Sequence, residues 1–453
     1  MEEEVTAMTE SIEVLVVGAG QSGIAMSEHL RRANIPHLVL ERERVAERWR
    51  SRRWDSLVAN GPAWHDRLPG RHFDANPDEF VPKEAVADYL VDYASHIEMP
   101  VRAGVEVMKV TRRTAAPGFF VETSEGPLHA RFLVAATGAY QRPIVPDIIP
   151  ASAPVRQLHS ADYRNPSQLS DGGVLVVGGG ASGAQIATEL HEAGRDVTLS
   201  IGAHERPPRR YRQRDYVWWL GALGLWDLVA PPSGAAHVPF AVTGARGGYT
   251  VDFRTLAASG MTITGRTMEY VDGVVRFGND VAENIIAAEK KYLALLEQAD
   301  AYVERNGIDL PPEPEAHNFL PMPRSITDPL QEIDLVRAGI TSVIWATGYR
   351  EDFSWLPAGA VDDAGRARQL RGAATNEPGI YFLGLPWLTR RASSFIYGVS
   401  EDAGHVTDLI KTQRYYDTYQ GCAERIFWEE DVVGAPSRKS SSTSMRDVSE
   451  VDA

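Results

Sequence analysis

One pattern, a buried strand followed by a glycine-rich turn and a helix, occurs twice in this chain of 453 residues. In the first copy, residues 13–17 predict a strand, 22–33 a helix and 37–40 a second strand. The corresponding segments of the second copy are residues 174–177, 182–193 and 196–200. Each copy has the length and order of the βαβ unit that binds a dinucleotide in a doubly wound fold. The sequence therefore predicts an α/β protein with two Rossmann-like nucleotide sites.

The first turn carries three glycines in the spacing Gly-X-Gly-X-X-Gly. They allow the tight turn, the approach of a pyrophosphate to the backbone, and close packing of the helix on the strand. The expected contacts at the turn and the helix N-terminus are Gly18, Gly20, Gln21, Ser22 and Gly23. Glu41 ends the second strand, where a carboxylate accepts hydrogen bonds from ribose hydroxyls. An acid suits an unphosphorylated ribose, and we assign FAD to this site.

The second turn has the same glycine spacing but lacks the acid. The expected contacts are Gly178, Gly180, Ser182 and Gly183. Here the second strand ends at Ser200, and a basic loop with Arg206 and four further arginines follows. Without an acid a 2′-phosphate is not repelled, and arginine supplies forked donors for it. Ser200 and Arg206 are therefore expected to select NADPH over NADH, although these arginines could equally form a solvated or ion-paired surface.

The chain ends and the order of the strands suggest a domain division. Residues 1–11 and 434–453 are predicted to be disordered, because they are polar and have little to bury. Buried strands at residues 343–346 and 380–383 return the chain to the first domain. We expect a discontinuous FAD-binding domain of residues 12–170 and 330–433, with residues 171–329 inserted as the NADPH-binding domain.

Composition limits the class of protein. The formal net charge of −15 disfavours binding to nucleic acid and to anionic membranes. No apolar run approaches the length of a membrane span, and the acidic N-terminus is unlike a signal peptide. We expect a cytoplasmic protein with a small-molecule partner, for which a homodimer is compatible. The single cysteine, Cys422, excludes a dithiol mechanism, and no histidine spacing predicts a metal site.

Five motifs follow one another in a set order along the chain. They are Gly18 with its turn, Ala136-Thr137-Gly138, His159, Gly178 with its turn, and Ala346-Thr347-Gly348-Tyr349. Over residues 13–409 the chain thereby resembles the flavin-containing monooxygenase family, the class B flavoprotein monooxygenases. Ala153 and Val155 depart from the Phe and Gly of its histidine-centred signature. Tyr163 stands where Baeyer–Villiger enzymes have Trp, so the chain resembles the heteroatom-oxidising and plant auxin-pathway branches.

The resemblance also implies further site residues. Those expected to contact a cofactor are Trp49, Thr137, Gly138, His159, Gly348 and Gly384. Asn60 stands where relatives place a side-chain amide beside the flavin, and it is the expected catalytic residue. Asn60 could instead satisfy its own turn, and Trp49 could simply fill the core. Gly384 precedes Leu385 where many flavoproteins have Asp, so only backbone contact is expected there.

The implied activity is an NADPH-dependent monooxygenation. NADPH would reduce FAD, and O2 would react to a flavin C4a-hydroperoxide that passes one oxygen atom to a small apolar or aromatic substrate. Three alternatives stay open: a Baeyer–Villiger monooxygenase, an NAD(P)H-dependent reductase with a protein partner, and a non-catalytic flavin-binding sensor. Aromatic residues between 211 and 226 could line a substrate entrance or pack on the fold.

Overall fold

A computed structural model describes residues 9–229 and 239–419. Two compact units are distinguished, Met1–Ile410 and Lys411–Ala453, and the sites discussed below lie in the first. The described strands are β1 (Glu10–Val17), β2 (His37–Glu41), β3 (Val101–Ala103), β4 (Val107–Arg112), β5 (Phe119–Thr123), β6 (Gly126–Ala135), β7 (Arg142–Pro143), β8 (Arg156–His159), β9 (Gly173–Val177), β10 (Val197–Ser200), β11 (Arg210–Tyr211), β12 (Arg214–Asp215), β13 (Thr262–Thr264), β14 (Thr267–Val271), β15 (Val274–Phe277), β16 (Glu332–Asp334), β17 (Ile340–Trp345), β18 (Tyr349–Arg350), β19 (Gln369–Leu370), β20 (Ala373–Ala374) and β21 (Ile380–Phe382).

The described α-helices are fewer and vary in length. They are α1 (Gln21–Arg32), α2 (Glu47–Ser51), α3 (Lys83–His96), α4 (Ala181–Glu192), α5 (Tyr216–Ala222), α6 (Phe253–Ala258), α7 (Val281–Asn306), α8 (Arg324–Thr327) and α9 (Ile396–Thr418).

The larger sheet has nine strands and contains the first glycine turn. Its main path runs β19-β20-β21-β6-β1-β2-β3, and β5 joins β6 to β4. The strands β21, β6, β1, β2 and β3 pair in parallel. Strand order reverses at β1, which lies between β2 and β6, and ligands of such sheets bind at this switch point.

The second sheet repeats the arrangement with five parallel strands in the order β13-β10-β9-β17-β8. Here β9 is the switch strand, between β10 and β17, and it leads into the second glycine turn. The two sheets confirm the predicted fold class of two Rossmann-like units.

The two switch strands form the centres of the two sheets. Val14, Leu15 and Val16 of β1 are fully buried, and so are the central residues of β9. Parallel strands covered on both faces read as continuous apolar runs rather than alternating ones. Each such side chain contributes about 1.5–3 kcal/mol on burial, so both turns extend from rigid strands.

Some predicted boundaries differ from the structure. Glu10 and Ser11 already belong to β1, since they pair with Leu128 and His129 of β6, whereas they were expected to be disordered. The rest of the predicted disordered ends, residues 1–8 and 434–453, lies outside the described residues. The amphipathic pattern of residues 277–306 predicts a long helix; Phe277 instead ends β15, and α7 begins at Val281.

The second sheet also takes strands from outside the range 171–329, namely β8 and β17. The domain division stays a proposal, and these strands would widen the second domain to about residues 156–345. Over the described residues, no helix combines the length and apolar character needed to cross a membrane.

Candidate functional site

The first glycine turn is closed tightly against the strand beside it. The backbone N–H of Gly18 donates to the carbonyl of Leu40 at 2.7 Å, and Gly18 has a φ of +107°. A Cβ on Gly18 would lie 2.8 Å from the carbonyl oxygen of Ala136, and one on Gly23 would overlap the carbonyl oxygen of Gly18. A Cβ on Gly20, by contrast, would meet no heavy atom within 4 Å. Open space at the middle glycine is what the approach of a pyrophosphate requires.

Glu41 is hydrogen-bonded to the turn itself. Its carboxylate accepts from the backbone N–H of Ala19 at 2.8 Å and from that of Glu43 at 2.9 Å. Two carboxylate oxygens offer about four acceptor positions, so lone pairs remain for ribose hydroxyls. Glu41 thus both stabilises the turn and fits its predicted contact with FAD.

Three distant segments meet at the start of α1. A Cβ on Gly384 would collide with the hydroxyl of Ser22 and would lie 3.9 Å from Cα of Gly138. Gly384 has a φ of +78°, which also favours glycine. The segment that follows β21, the Ala136-Thr137-Gly138 motif and the first glycine turn therefore converge, as expected for residues that share one cofactor.

The side chain of Gln21 connects the start of α1 to Ser394 and Trp49. Its side-chain amide donates to the carbonyl of Ser394 at 3.0 Å and accepts from the indole N–H of Trp49 at 3.4 Å. The hydroxyl of Thr137 accepts from Gln141 at 3.0 Å. Trp49 and Thr137 are both partly exposed. The residues predicted for FAD are thus brought together around α1, and their contacts with the cofactor remain predictions.

The second turn has the same backbone geometry but a different cover. The N–H of Gly178 donates to the carbonyl of Ser200 at 2.9 Å, and a Cβ on Gly183 would overlap the carbonyl oxygen of Gly178. At Gly180, however, a Cβ would lie 2.8 Å from Cβ of Pro239. Ser182, in the first turn of α4, is partly buried. The turn is preformed, but its middle glycine is covered where that of the first turn is open.

Ser200 makes its side-chain hydrogen bonds inside the protein. Its side chain is 2% exposed; the hydroxyl donates to the carbonyl of Gly265 at 2.9 Å and accepts from the hydroxyl of Thr267 at 2.8 Å. The hydroxyl proton is thereby already donated inside the protein, and one acceptor lone pair remains. These contacts and the burial weigh against a nucleotide contact from Ser200, which stays a prediction.

Arg206 is likewise internal. It is 5% exposed, and its guanidinium donates to the carboxylate of Asp252 at 3.2 Å and to the carbonyl of Val251 at 3.3 Å. The same group lies 4.8 Å from the ring centre of Tyr292 and 3.9 Å from the carboxylate of Glu289. Arg206 is therefore an internal ion-pair partner rather than a surface donor. This placement weighs against its predicted contact with a 2′-phosphate, which stays a prediction.

Arg266 is a better-placed arginine that the sequence reasoning missed. It follows β13, whose Thr264 pairs with Ser200 at the end of β10, so it lies beyond the same sheet edge. Its side chain is exposed and makes no hydrogen bond or ion pair with the residues that the structure describes. Only the pairing of β10 with β13 reveals this neighbourhood, because more than sixty residues separate the two in sequence.

His159 connects the histidine-centred signature to the Ala346-Thr347-Gly348-Tyr349 motif by a hydrogen bond. Its Nδ1 accepts from the N–H of Ala161 at 3.1 Å, so Nε2 carries the proton and donates to the carbonyl of Gly348 at 3.0 Å. Burial lowers the pKa of His159 and favours this neutral form. The carbonyl of Gly348 also accepts from the N–H of Ile144. His159 thus positions the backbone at Gly348, and neither ring nitrogen is left for a cofactor.

Asn60 lies between the two nucleotide-binding units. Its side-chain oxygen accepts from the amide of Gln185 in α4 at 3.0 Å, and its backbone carbonyl accepts from Arg209 at 2.7 Å. Asn60 is exposed. Asn60 therefore does not satisfy only its own turn, because both contacts are with residues far away in the sequence. The catalytic role of Asn60 stays a prediction.

The aromatic segment near α5 is mainly packing. Tyr211 and Trp219 are 1% exposed and Trp226 is 5% exposed. The indole N–H of Trp219 donates to the carbonyl of Tyr211 at 2.9 Å. Trp218 is more accessible and, with Trp64, lines a cavity of about 280 Å³. The other side chains lining this cavity include Arg210 and Arg214.

Within the part of the chain that the structure describes, no group of three or more His, Cys, Asp or Glu side chains could hold a metal ion. Cys422 lies outside the described residues, and as the only cysteine of the sequence it cannot form a Cys-X-X-Cys pair.

Sequence comparison relates the chain to known oxidoreductases. The profile of the pyridine nucleotide-disulphide oxidoreductase family matches residues 15–222. An uncharacterized CzcO-like oxidoreductase of Geobacillus kaustophilus is 32% identical over 408 residues, which cover 89% of this chain and 99% of that protein. The match extends through both nucleotide-binding units.

Two further comparisons concern monooxygenases. The indole-3-pyruvate monooxygenase YUCCA1 of Oryza sativa is 32% identical over 195 residues, covering 41% of this chain and 47% of that protein. Among solved structures, the flavin-containing monooxygenase of Stenotrophomonas maltophilia aligns with a TM-score of 0.63 at 19% identity, over 89% of this chain and 99% of that one. At this identity the structural likeness supports the shared fold.

Proposed function

Since this chain belongs to the CzcO-like oxidoreductases within the flavin-containing monooxygenase family, enzymes that use FAD and NADPH, we propose that it transfers one oxygen atom from O2 to a small organic substrate. The substrate would be apolar or aromatic. Bound FAD would supply the electron transfer and the oxygen activation. The chain's own residues would bind and orient the two nucleotides and keep water away from the reacting atoms.

The contacts of Asn60 carry this proposal. The loop at Asn60 follows α2 of the first unit, yet its side chain is hydrogen-bonded to Gln185 of α4, the helix that begins at the second glycine turn. Arg209 fixes the backbone of the same residue. A loop held to both units is where a flavin and a nicotinamide would meet. A sensor without turnover would have no use for this second, preformed nucleotide turn.

Preference for NADPH would depend on the edge of the second sheet. The chain has no carboxylate at the end of β10, and the exposed Arg266 follows the neighbouring strand. A guanidinium binds a phosphate through two parallel hydrogen bonds, which a ribose hydroxyl cannot match. We therefore propose Arg266, in place of Arg206, as the residue that selects the 2′-phosphate.

A product assay under labelled oxygen tests the proposed activity. Purified holoenzyme is given NADPH, ¹⁸O2 and a panel of sulfides, amines, ketones and aromatic acids, and products are weighed by mass spectrometry. We expect substrate-dependent NADPH consumption and products that carry one ¹⁸O atom. Lactones from cyclic ketones would indicate the Baeyer–Villiger alternative instead. NADPH oxidation without any labelled product, but with reduction of an added acceptor protein, would indicate a reductase.

A further inference from the structure

His65, which is buried, pairs with the partly buried Asp66 in the loop that follows Asn60. The Nδ1 of His65 lies 2.8 Å from one carboxylate oxygen of Asp66, and the other oxygen accepts from the N–H of Gly61 at 3.0 Å. An ionised carboxylate can only accept, so the imidazole proton is on Nδ1. With a single proton on the ring, held at Nδ1, Nε2 is a hydrogen-bond acceptor on the side of the ring away from Asp66.

Nε2 of His65 has no hydrogen-bonding partner among the described residues. His65 is 4% exposed, and its Nε2 makes no hydrogen bond to any of the described residues. Leaving a buried polar group unsatisfied costs a folded protein free energy, so such groups call for a physical explanation. An acceptor held in a fixed direction by a carboxylate is suited to bind a donor from outside the chain.

Two aromatic rings stack on the imidazole of His65. The rings of Tyr397 and Trp226 lie 4.4 Å and 5.2 Å from the imidazole, each inclined by 25° to it. Phe395 packs edge-on against Trp226 at 5.2 Å. Tyr397 and Phe395 are 40% and 39% exposed, whereas His65 and Trp226 are buried. The group of rings formed by His65, Trp226, Phe395 and Tyr397, here called the aromatic wall, therefore extends from the surface to the unsatisfied nitrogen.

The aromatic wall adjoins the first nucleotide turn. Ser394, which directly precedes Phe395, accepts the hydrogen bond from Gln21 at the start of α1. On its other side, His65 belongs to the loop of Asn60, whose side chain contacts α4. Phe395 of the aromatic wall thus follows a residue that contacts the predicted FAD site, and His65 lies in a loop that contacts the second nucleotide-binding unit.

We propose that the aromatic wall is the substrate-binding surface of the enzyme and that His65 Nε2 accepts a hydrogen bond from a hydroxyl or ring N–H of a flat aromatic substrate. This assignment rests on the proposed monooxygenase function and deepens it by naming the substrate class. The rings supply stacking area, and the imidazole supplies the single polar contact that orients the ligand. Asp66 acts through His65 by fixing which ring nitrogen bears the proton.

Two probes of similar shape test the assignment by binding alone. They are the para-hydroxy and para-methoxy derivatives of methyl phenyl sulfide, of which only the first can donate. Dissociation constants are measured on oxidised holoenzyme by equilibrium dialysis, so that no turnover is needed. We expect the hydroxy probe to bind about tenfold more tightly, the worth of one buried hydrogen bond. Equal affinities would overturn the assignment even if oxygenation is observed.

Two variants separate a ligand contact from a structural role. His65→Phe keeps a stacked ring without nitrogen, and we expect it to bind both probes alike. In Asp66→Asn, the amide oxygen must still face the N–H of Gly61, so the amide NH2 faces His65 and moves the proton to Nε2. That variant should also lose the preference for the hydroxy probe. His96→Phe, at an exposed position, is the matched control and should leave both affinities unchanged.

The outcomes remain decisive if one variant folds poorly. Retained FAD absorbance and an unchanged Tm show that a variant is intact. If His65→Phe is not intact, Asp66→Asn alone still tests the role of His65 Nε2. A hydroxy preference that persists in an intact His65 or Asp66 variant contradicts the proposal. Probe discrimination without any ¹⁸O transfer would support this binding site while rejecting the monooxygenase function, so the two proposals can fail separately.

Discussion

The two glycine turns share a sequence pattern and a backbone geometry, yet they differ in what surrounds them. Gly20 faces open space, whereas Gly180 lies under Pro239. At the end of the second strand, Glu41 bonds to the first turn with lone pairs to spare, whereas Ser200 is buried and its hydroxyl donates and accepts inside the protein. A fingerprint therefore predicts the turn itself, while the environment decides how a nucleotide can be held.

The comparison implies a division of work. The first turn is open and lined by a carboxylate, as a permanently held FAD requires. The second is covered at its middle glycine by Pro239, so a nucleotide that approached Gly180 as FAD approaches Gly20 would have to displace this side chain.

The largest expected effect comes from the third glycine of each turn. In Gly23→Ala and Gly183→Ala the new Cβ would overlap the carbonyl oxygen of Gly18 or Gly178, so each turn must distort. Gly23→Ala should purify without FAD. Gly183→Ala should keep FAD but lose at least about a hundredfold in the rate of flavin reduction by NADPH, equivalent to about 2.7 kcal/mol. Visible absorbance measures the bound FAD, and anaerobic stopped-flow mixing measures the rate at which NADPH reduces it. Loss of FAD from Gly183→Ala would break the division.

The next effect concerns nucleotide choice at the second turn. Arg266→Ala removes a charged donor, and a charge-assisted hydrogen bond is worth about 1.5–3 kcal/mol, so KM for NADPH should rise roughly 10- to 100-fold. KM for NADH should stay unchanged. Steady-state kinetics with both nucleotides measure this ratio.

Arg206→Lys is the matched control for that prediction, because Arg206 is paired internally with Asp252. It should lower the free energy of unfolding by about 1–2 kcal/mol and leave the NADPH-to-NADH ratio unchanged. If Arg206→Lys lost the preference for NADPH and Arg266→Ala kept it, Arg206 rather than Arg266 would be the residue that selects the 2′-phosphate.

The middle glycines provide a smaller and more specific contrast. Both have backbone angles that alanine adopts, with φ of −83° at Gly20 and −80° at Gly180. Gly20→Ala should leave the stability of the apoprotein unchanged but weaken FAD by about tenfold, since only the cofactor meets the new methyl group. Gly180→Ala must displace Pro239 and should cost about 1–3 kcal/mol of stability without any nucleotide. Thermal unfolding of apoproteins, with FAD titration, distinguishes the two.

The sequence predicted much of this fold for a physical reason. Apolar runs at β1 and β9, and glycines that only a tight turn needs, are local features, and the structure has both units where they indicate. The side-chain partners of Ser200 and Arg206 lie 45 or more positions away, and no local pattern reveals them. Arg266 was missed for the same reason.

The pair His65 and Asp66 shows a second limit of the sequence. Adjacent His and Asp residues are common, and only the stacking of Tyr397 and Trp226 on the imidazole distinguishes this pair. The sequence did mark the surrounding loop as similar to the family, through Asn60. A buried polar nitrogen without a partner can be recognised only once the chain is folded.

The smallest expected effect is at the ends of the second strands. Ser200→Ala removes a hydroxyl that donates to Gly265 and accepts from Thr267, so it should lower the free energy of unfolding by about 1–2 kcal/mol. KM for NADPH should change by less than about twofold, because a contribution below about 0.4 kcal/mol is expected from a buried hydroxyl whose proton is already donated to Gly265. Glu41→Gln is the counterpart in the first unit: one oxygen still accepts from Ala19, but affinity for FAD should fall. If Ser200→Ala instead raised KM for NADPH with stability intact, its hydroxyl would have to leave Gly265 on binding, and the two strand ends would be more alike than their resting contacts indicate.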